Sequence, residues 1–330
     1  MNQPKVTKET KNKIRVEFER TSWWKRFRIK YLSLSFLGNL VWYIFRLILL
    51  LGISYVILYP FFTKIASSFM SADDLVDATV RLIPKYPTLS RYKELILSNY
   101  FKALLNTLLL SLSNALIQTL VCCFVGYGFA KYKFKGNGLI FALVVLTMII
   151  PHNAVQFAMY MKFRYFDFPF LHLFQWIGGK PWNMINTVTP FYLLSATGLA
   201  FKNGLYIFMM RQFFRGVPDE LEEAAYIDGS GVFRTFFTII LPMSIPMMIT
   251  IFLFAFSWQW TDYFYSGMFI QNGKLPLMAN FVPNNMTAGV GEANANSAAA
   301  SLLIIAPLII MYLFCQRYLI QGIERSGITG

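Results

Sequence analysis

Two histidines, His152 and His172, and three cysteines, Cys122, Cys123 and Cys315, are the side chains best suited to hold a metal ion or attack a carbonyl. Their spacing suits neither task. Cys122 and Cys123 are adjacent, Cys315 stands in the last apolar stretch, and with the histidines they form neither a disulfide framework nor a ligand set. Packing is their expected role. The scattered acids add no His/Asp/Ser constellation. No Gly-x4-Gly-Lys-[Ser/Thr] loop is present to cradle phosphates, so ATP energy would have to come from another chain. An ion-coupled carrier usually places carboxylates or histidines inside its spans. Here the ionisable residues within apolar stretches are Arg46, Lys202 and the border residue Asp262. Arg46 lies near the inner end of the first stretch, where it snorkels, and receives no transport role. Lys202-Asn203-Gly204 has two readings: a cavity-facing lysine in a kinked span, or a lysine reaching an interface from an irregular helix end.

These residues are set in a chain built for lipid. With 56% hydrophobic, 18% aromatic and 14% charged residues over 330 positions, it departs far from the ~25% charged content of soluble domains. Several stretches reach the about 20 apolar residues that a membrane helix needs: Leu40 to Phe61, Ala103 to Phe129, Leu139 to Met161, Val188 to Phe214, Pro242 to Trp260 and Ala298 to Tyr318. The sequence therefore predicts an all-α membrane protein with six transmembrane helices. Residues 1–35 form a basic cytoplasmic N-terminal segment and 36–330 the transmembrane domain. The basic leader is too long for a cleavable signal peptide, so the first span is expected to stay as an anchor.

A net charge of +14 raises nucleic acid as a partner, but the placement of charge excludes it. Residues 1–35 carry ten Lys/Arg against three acids, and Lys131, Lys133 and Lys135 fill the short turn between the second and third spans. This is the positive-inside pattern, and it predicts that both termini are cytoplasmic. Trp23, Trp24, Phe27 and Tyr31 interleave with Lys25, Arg26, Arg28 and Lys30. They read either as a topology determinant with a solvated tail or as an interfacial helix on anionic lipid. The stretch from Thr63 to Lys102, with Asp73, Asp74, Pro84 and Pro87, is expected to be an ordered external loop able to meet an extracytoplasmic partner.

Residues 215–241 form a polar island between the fourth and fifth spans. The run Pro218-Asp219-Glu220-Leu221-Glu222-Glu223 predicts a helix start with Asp219 as N-cap and Glu222 as its capping-box partner. Gly229 predicts the stop, because a helix commonly ends on a residue at positive φ. Ala224 and Ala225 leave a face without bulk, and Glu220, Glu222 and Glu223 keep the helix in water, as a docking knob requires. The spacing Glu-Ala-Ala-x3-Gly-x9-Ile-x-Leu-Pro, carried by Glu223, Ala224, Ala225, Gly229, Ile239, Leu241 and Pro242, resembles the cytoplasmic loop signature of ABC-importer permease subunits at every fixed position. The resemblance implies a coupling helix seated in a cleft of an ATPase subunit, with Glu220, Glu223, Ala224, Ala225, Asp228 and Gly229 as the coupling residues.

Further elements point to the carbohydrate-uptake branch of that family. Gly126 to Gly136 resembles its A-Y-A-[FL]-[AS]-R-[FL]-x-F-x-G element, with Lys131 where Arg is usual and glycines for alanines. Met148-Ile149-Ile150-Pro151 resembles the M-I-P of its third span, where a proline bend can open a cavity wall. Tyr206 to Phe214 resembles F-x-x-R-x-F-F, and Gln316 to Gly322 is similar to the Q-[RK]-x-[FL]-[IV]-x-G ending of maltose-transporter-type permeases. The family's A-V-K-G close is here Ile328-Thr329-Gly330 after Gly327. The resemblance implies a pore subunit without its own ATPase or cofactor, in a bacterial cytoplasmic membrane. Its implied partners are a second homologous permease, two ATP-binding-cassette subunits that bind ATP and Mg, and an extracytoplasmic solute-binding protein. Its cargo would be a sugar or oligosaccharide. An ABC permease for a polyamine or an anion, and an independent channel or ion-coupled carrier, are the alternatives.

The run Phe256-Ser257-Trp258-Gln259-Trp260-Thr261-Asp262-Tyr263 resembles F-x-W-N-[DE]-[FY] near the outer end of the fifth span, with Thr261 in place of asparagine, and its last six residues, Trp258 to Tyr263, are the candidate path segment. The resemblance places it beside the path. Aromatic faces can cover sugar rings while Gln259, Thr261 and Asp262 meet hydroxyls. An interfacial aromatic belt is the competing reading.

Overall fold

The computed structural model describes residues 6–7, 15–16, 34–167, 181–200, 202–271, 275–281 and 290–327. The interleaved leader, His172 and the segment Ile328–Gly330 lie outside them. Apart from a two-residue antiparallel pairing of Val6–Thr7 with Arg15–Val16 and an isolated bridge between Phe166 and Trp182, the described chain is helical. It divides into two units, Met1–Thr63 and Lys64–Gly330.

Among the described residues, four helical stretches are long and apolar enough to cross a membrane: Gly38–Phe69, Ser90–Lys131, Val232–Trp260 and Gly291–Arg317. A fifth candidate is a pair of helices, Asn137–Ile149 and His152–Arg164, meeting at 102°. The expected stretch from Val188 to Phe214 is not one helix. It is Thr189–Ala196 followed by Asn203–Arg215, and neither piece reaches the about 20 residues needed alone.

We number the helices in chain order: α1 Leu34–Phe69, α2 Ala72–Val76, α3 Ser90–Leu95, α4 Phe101–Lys131, α5 Asn137–Ile149, α6 His152–Arg164, α7 Thr189–Ala196, α8 Asn203–Arg215, α9 Glu220–Ile227, α10 Val232–Thr235, α11 Leu241–Trp260, α12 Phe264–Phe269 and α13 Val290–Gly327. At the centre stands α4. It buries Ala103, Thr107, Ser111, Asn114, Gln118, Cys122 and Gly126, one residue per turn. This buried stripe is small and polar while Leu105, Leu109, Leu112 and Leu116 are exposed, the inverse of a soluble helix. In lipid, small residues and hydrogen bonds hold helices together because apolar surface has no reason to leave its surroundings. α8 and α11 pack on the stripe. A Cβ added to Gly126 would meet Met210 Cβ at 2.5 Å, so only glycine lets α4 and α8 come this close. Cys122 and Cys123 are buried in the same seam.

The breaks have local causes. Pro151 disfavours helical backbone in the residue before it, and Ile150 is extended at φ −66°, ψ 121°, which ends α5 and turns α6 away. α7 ends on Gly198 at φ +74°. Gly198 N–H donates to Ser195 O (3.4 Å) and Leu199 N–H to Leu194 O (2.9 Å), a Schellman closure. Lys202, at φ +69°, then opens α8, with Tyr206 N–H on its carbonyl at 3.1 Å. In α13, Pro307 leaves Leu303 O without its helical donor, and Tyr100 Oη donates to it at 3.2 Å. Trp260 Nε1 donates to the next carbonyl, Ile304 O, at 3.0 Å, tying α11 to α13.

The stretch expected as a loop from Thr63 to Lys102 is shorter than that, because α1 runs on to Phe69 and the next long apolar helical stretch begins at Ser90. Ser71 and Asp74 form a capping box on α2. Asp74 Oδ2 also accepts from Tyr86 N–H at 3.0 Å, and the Arg91 guanidinium donates to Met70 O.

Candidate functional site

Two places gather polar groups that packing alone does not require. The first is the loop between α8 and α11, built on α9. The predicted capping box does not form: Asp219 sits at the N-cap position with φ −69°, ψ −25° and gives no side-chain cap. Its carboxylate is instead drawn to Lys131, the last residue of α4, which donates to it and to Val217 O at 2.7 Å. Glu222 does not face water either. It is 9% exposed, accepts from Tyr127 Oη at 3.4 Å, and lies 3.9 Å from Lys131 Nζ. Lys131 therefore straps the start of α9 to the end of the second span. The ammonium holds the Asp219 carboxyl below the usual range. Burial pushes the Glu222 carboxyl above it, outweighing the attraction of an ammonium already engaged by two nearer oxygens.

With Glu222 and Ala225 turned inward, α9 presents Glu220, Glu223, Ala224 and Ile227 outward, the i, i+3, i+4, i+7 face of a helix. Asp228 and Gly229 are also exposed. The helix stops as its sequence predicts. Gly229 is at φ +81°, its N–H on Tyr226 O at 3.0 Å, and Ser230 N–H reaches Ala225 O at 2.9 Å. Ile227 and Phe233 are 86% and 81% exposed, giving the loop two apolar prominences. Behind it, Tyr127 packs on Phe236 with ring centroids 4.7 Å apart and on Phe214 at 5.4 Å.

The second place lies where the breaks of α5/α6 and α7/α8 meet the end of α11. A cavity of about 260 Å³ is lined there by Thr147, His152, Gly198, Lys202, Gly204 and Tyr265 among apolar neighbours. A smaller one of about 30 Å³ adjoins it through Ala200 and Tyr265 and is walled by Gln118, Ser195, Trp258, Gln259 and Asp262. Irregular backbone at membrane depth is tolerated where it borders such a cavity. Gly204 makes the wall thin, since a Cβ there would meet Thr147 Oγ1 at 2.6 Å and Val144 O at 2.9 Å. Tyr265 Oη and His152 Nδ1 lie 2.9 Å apart, and Lys202 Nζ stands 4.8 Å from the centroid of the Trp258 ring. Deeper in, Ser195 Oγ donates to Asn114 Oδ1 at 2.9 Å and Gln118 Nε2 to Ser195 Oγ at 3.3 Å.

The six-residue segment at the end of α11 is thus divided. Trp258, Gln259 and Asp262 border the smaller cavity, and Gln259 Nε2 is buried with no hydrogen-bond partner among the described residues. Trp260 is a 1%-exposed packing residue, Thr261 Oγ1 returns to Ser257 O at 3.0 Å, and Tyr263 is exposed. Asp262 caps α12, its carboxylate accepting from Tyr265 N–H and Ser266 N–H, both at 3.0 Å. Sequence reasoning gave no role to His152, Tyr265, Gln118 or Ser195, and read Lys131 only as a topology-setting charge within a family element. The polar spacing Ser111, Asn114, Gln118 was a readable signal of a polar seam. Nothing local marks Tyr265.

The chain is similar to known proteins. A family model described as binding-protein-dependent transport system inner membrane component matches residues 118–325. A probable ABC transporter permease of Pyrococcus horikoshii is 29% identical over 276 residues, covering 82% of this chain and 92% of the relative. The galactooligosaccharides transport system permease protein GanQ of Bacillus subtilis is 27% identical over 291 residues, 87% of this chain and 95% of its own. A crystal structure of a bacterial ABC transporter involved in the import of the acidic polysaccharide alginate contains a chain that superposes with a TM-score of 0.67 at 18% identity, over 85% of this chain and 97% of that one. This last likeness is one of fold.

Proposed function

Because the chain belongs to the family of binding-protein-dependent transport system inner membrane components, we propose that it is the permease subunit of an ATP-driven importer and lines part of the path of a sugar or oligosaccharide. The observation that carries this reading is the α9 loop. It is a short helix with an outward face of small, acidic and apolar side chains, strapped to the second span at one end and closed by Gly229 at the other. Such a module can take a push from a partner and pass it on as a rigid body.

In this reading α9 is the coupling helix, with Glu220, Glu223, Ala224, Ala225, Asp228 and Gly229 as its coupling residues. Of these, Ala225 acts from behind the surface by letting α9 lie close on its support. Ile227 and Phe233 seat in an ATPase subunit that binds ATP and Mg. The four long helices, the bent pair α5/α6 and the broken pair α7/α8 make six spans, with both termini in the cytoplasm. A second, homologous permease completes the path, two ATPases drive it, and an extracytoplasmic solute-binding protein loads it. The cargo assignment is supported by the galactooligosaccharide relative and by the adjoining cavities, whose Trp258, Gln259 and Asp262 suit ring faces and hydroxyls.

The test has two arms. Replacing Ile227 with Asp places a charge in the proposed ATPase contact, and co-purification of the ATPase should drop severalfold while membrane abundance holds. In the path, Trp258→Ala and Gln259→Ala should lower oligosaccharide uptake and sugar-stimulated ATP hydrolysis at matched membrane levels. Wild-type values throughout would remove the coupling and path assignments together.

A further inference from the structure

One cluster of positive charge takes no part in the α9 loop or in the cavities. Near the end of α8, Arg211 and Arg215 stand one turn apart on one face of the helix. Arg211 lays its guanidinium over the Phe141 ring of α5, 3.9 Å from the centroid. From there a chain of rings leads to the turn between α4 and α5. Phe141 meets Phe129 at 5.6 Å and Phe129 meets Phe134 at 6.1 Å, with Lys133 and Lys135 on either side of Phe134. Among the described residues these four cations form no ion pair, since Asp219 and Glu222, the acids beside the turn, both pair with Lys131. Lys133, Lys135 and Arg215 are exposed, whereas Arg211 is half-buried. Its Nε is shut away from water with no hydrogen-bond partner among the described residues, a costly state until an acceptor arrives. Beside the cations the surface is apolar. α5 buries none of its residues, and Leu139, Ile140 and Leu143 are exposed together with Phe208 of α8, whose ring stacks on Phe141 at 6.2 Å.

From this geometry we infer that the groove between α5 and α8 holds an anionic phospholipid, with its headgroup phosphate on Arg211 and the Lys133–Lys135 turn and its acyl chains along Leu139, Leu143 and Phe208. Basic groups at one end of an apolar helix pair match the two halves of such a lipid, because the charged headgroup sits at the membrane boundary and the chains lie in hydrocarbon. The guanidinium fork fits phosphate oxygens, and stacking on Phe141 fixes its plane. A free phosphate would leave the apolar half of the groove unused, and an acidic protein face would match the cations but not the exposed leucines. A neutral phosphatidylcholine carries an ammonium of its own, which the cluster repels. This inference needs only the membrane setting of the chain and stands apart from the cargo and the coupling partner.

The full-length chain, purified in mild detergent, is titrated with phosphatidylglycerol and, separately, with phosphatidylcholine of the same acyl chains, and retained lipid is counted by native mass spectrometry. The wild type should hold phosphatidylglycerol in clear preference. Arg211→Gln should weaken that binding about tenfold, the worth of one charge-assisted contact, and Arg211→Lys, which keeps the charge but not the fork, should recover part of it. Lys133→Gln and Lys135→Gln lie on the exposed turn and should each cost about fivefold, which keeps the test valid if Arg211→Gln assembles poorly. Lys102→Gln removes the same charge from the opposite end of α4 and should change nothing. Equal retention of the two lipids by the wild type, unchanged retention in the Arg211 and lysine variants, or an equal loss in Lys102→Gln would overturn the inference. Displacement of the lipid by equimolar inorganic phosphate would overturn it in favour of a free anion, and loss of ATPase co-purification in Arg211→Gln with lipid retention unchanged would overturn it in favour of a protein partner. None of these outcomes touches the sugar-import reading.

Discussion

The helices Thr189–Ala196 and Glu220–Ile227 are each eight residues long and each stop on a glycine at positive φ with the same pair of closing hydrogen bonds, yet the chain leaves them in opposite surroundings. After Gly229 it runs on through half-buried Ser230 to exposed Gly231 and Val232, and the freed backbone meets water. After Gly198 it passes exposed Leu199 to half-buried Ala200 and Lys202, and these residues line a cavity instead. One closure makes a protruding handle and the other a pocket. The same local chemistry acquires its use from what surrounds it.

The comparison is broken most severely by removing the strap from one side only. Lys131→Met leaves Glu222 buried beside Tyr127 without a cation and Val217 O without its donor, a loss of about 2–3 kcal/mol. The detergent-solubilised protein should unfold at lower temperature and uptake should fall further than membrane abundance. Lys131→Arg should hold both, since a guanidinium can make the same contacts. Normal uptake in Lys131→Met would show that the handle does not need its strap.

A smaller and symmetrical effect is expected from Gly198→Ala and Gly229→Ala. Space permits both: a Cβ at Gly198 would find Val121 Cγ1 at 3.7 Å, and at Gly229 nothing within 4 Å. Only backbone strain remains, about 1–2 kcal/mol at each. The two variants should be equally destabilised by thermal unfolding and differ in readout. Gly229→Ala should weaken ATPase co-purification and Gly198→Ala should raise the KM for the transported sugar. Identical functional profiles would erase the distinction between handle and pocket.

The smallest effect is on pH. The Glu222 carboxyl is raised by burial, so the folded loop binds that proton more tightly than the unfolded chain does. Its contribution is fully present below the ordinary glutamate range and is lost as pH rises through the raised value. Asp219 is lowered by Lys131, so its contribution is present above the ordinary aspartate range and is lost as pH falls through the lowered value. Mild acidification should therefore raise thermal stability slightly before stronger acid lowers it. Glu222→Gln should abolish the rise and keep the fall, and a rise that survives the substitution would assign it to another group.

Much of this was legible because its causes are local. Apolar length marked α1, α4, α11 and α13, Pro151 marked the bend between α5 and α6, and the spacing from Glu223 to Pro242 marked the α9 loop with Gly229 as its stop. The break at Gly198–Lys202 was hidden within an apolar run drawn as one span, although Lys202-Asn203-Gly204 had raised the question of a kink. Apolar composition reports the solvent and not the continuity of a helix. The capping box was misread for the same reason in reverse. Asp219 and Glu222 have the right spacing, but Lys131, 88 positions before Asp219, offers a charge that outbids a backbone amide.

What the sequence determined by itself was the lipid setting, the helical class and the family loop, since each depends on composition or on contacts within a few residues. What tertiary structure alone decided was which face of each element matters. It turned Trp260 into the packing and Trp258 toward the cavity, buried Glu222 while exposing Glu223, and brought His152, Lys202 and Tyr265 to one wall. Those outcomes depend on charges and surfaces from segments a hundred residues apart, whose approach is set by small residues such as Gly126 and Gly204 that permit contact without saying with what.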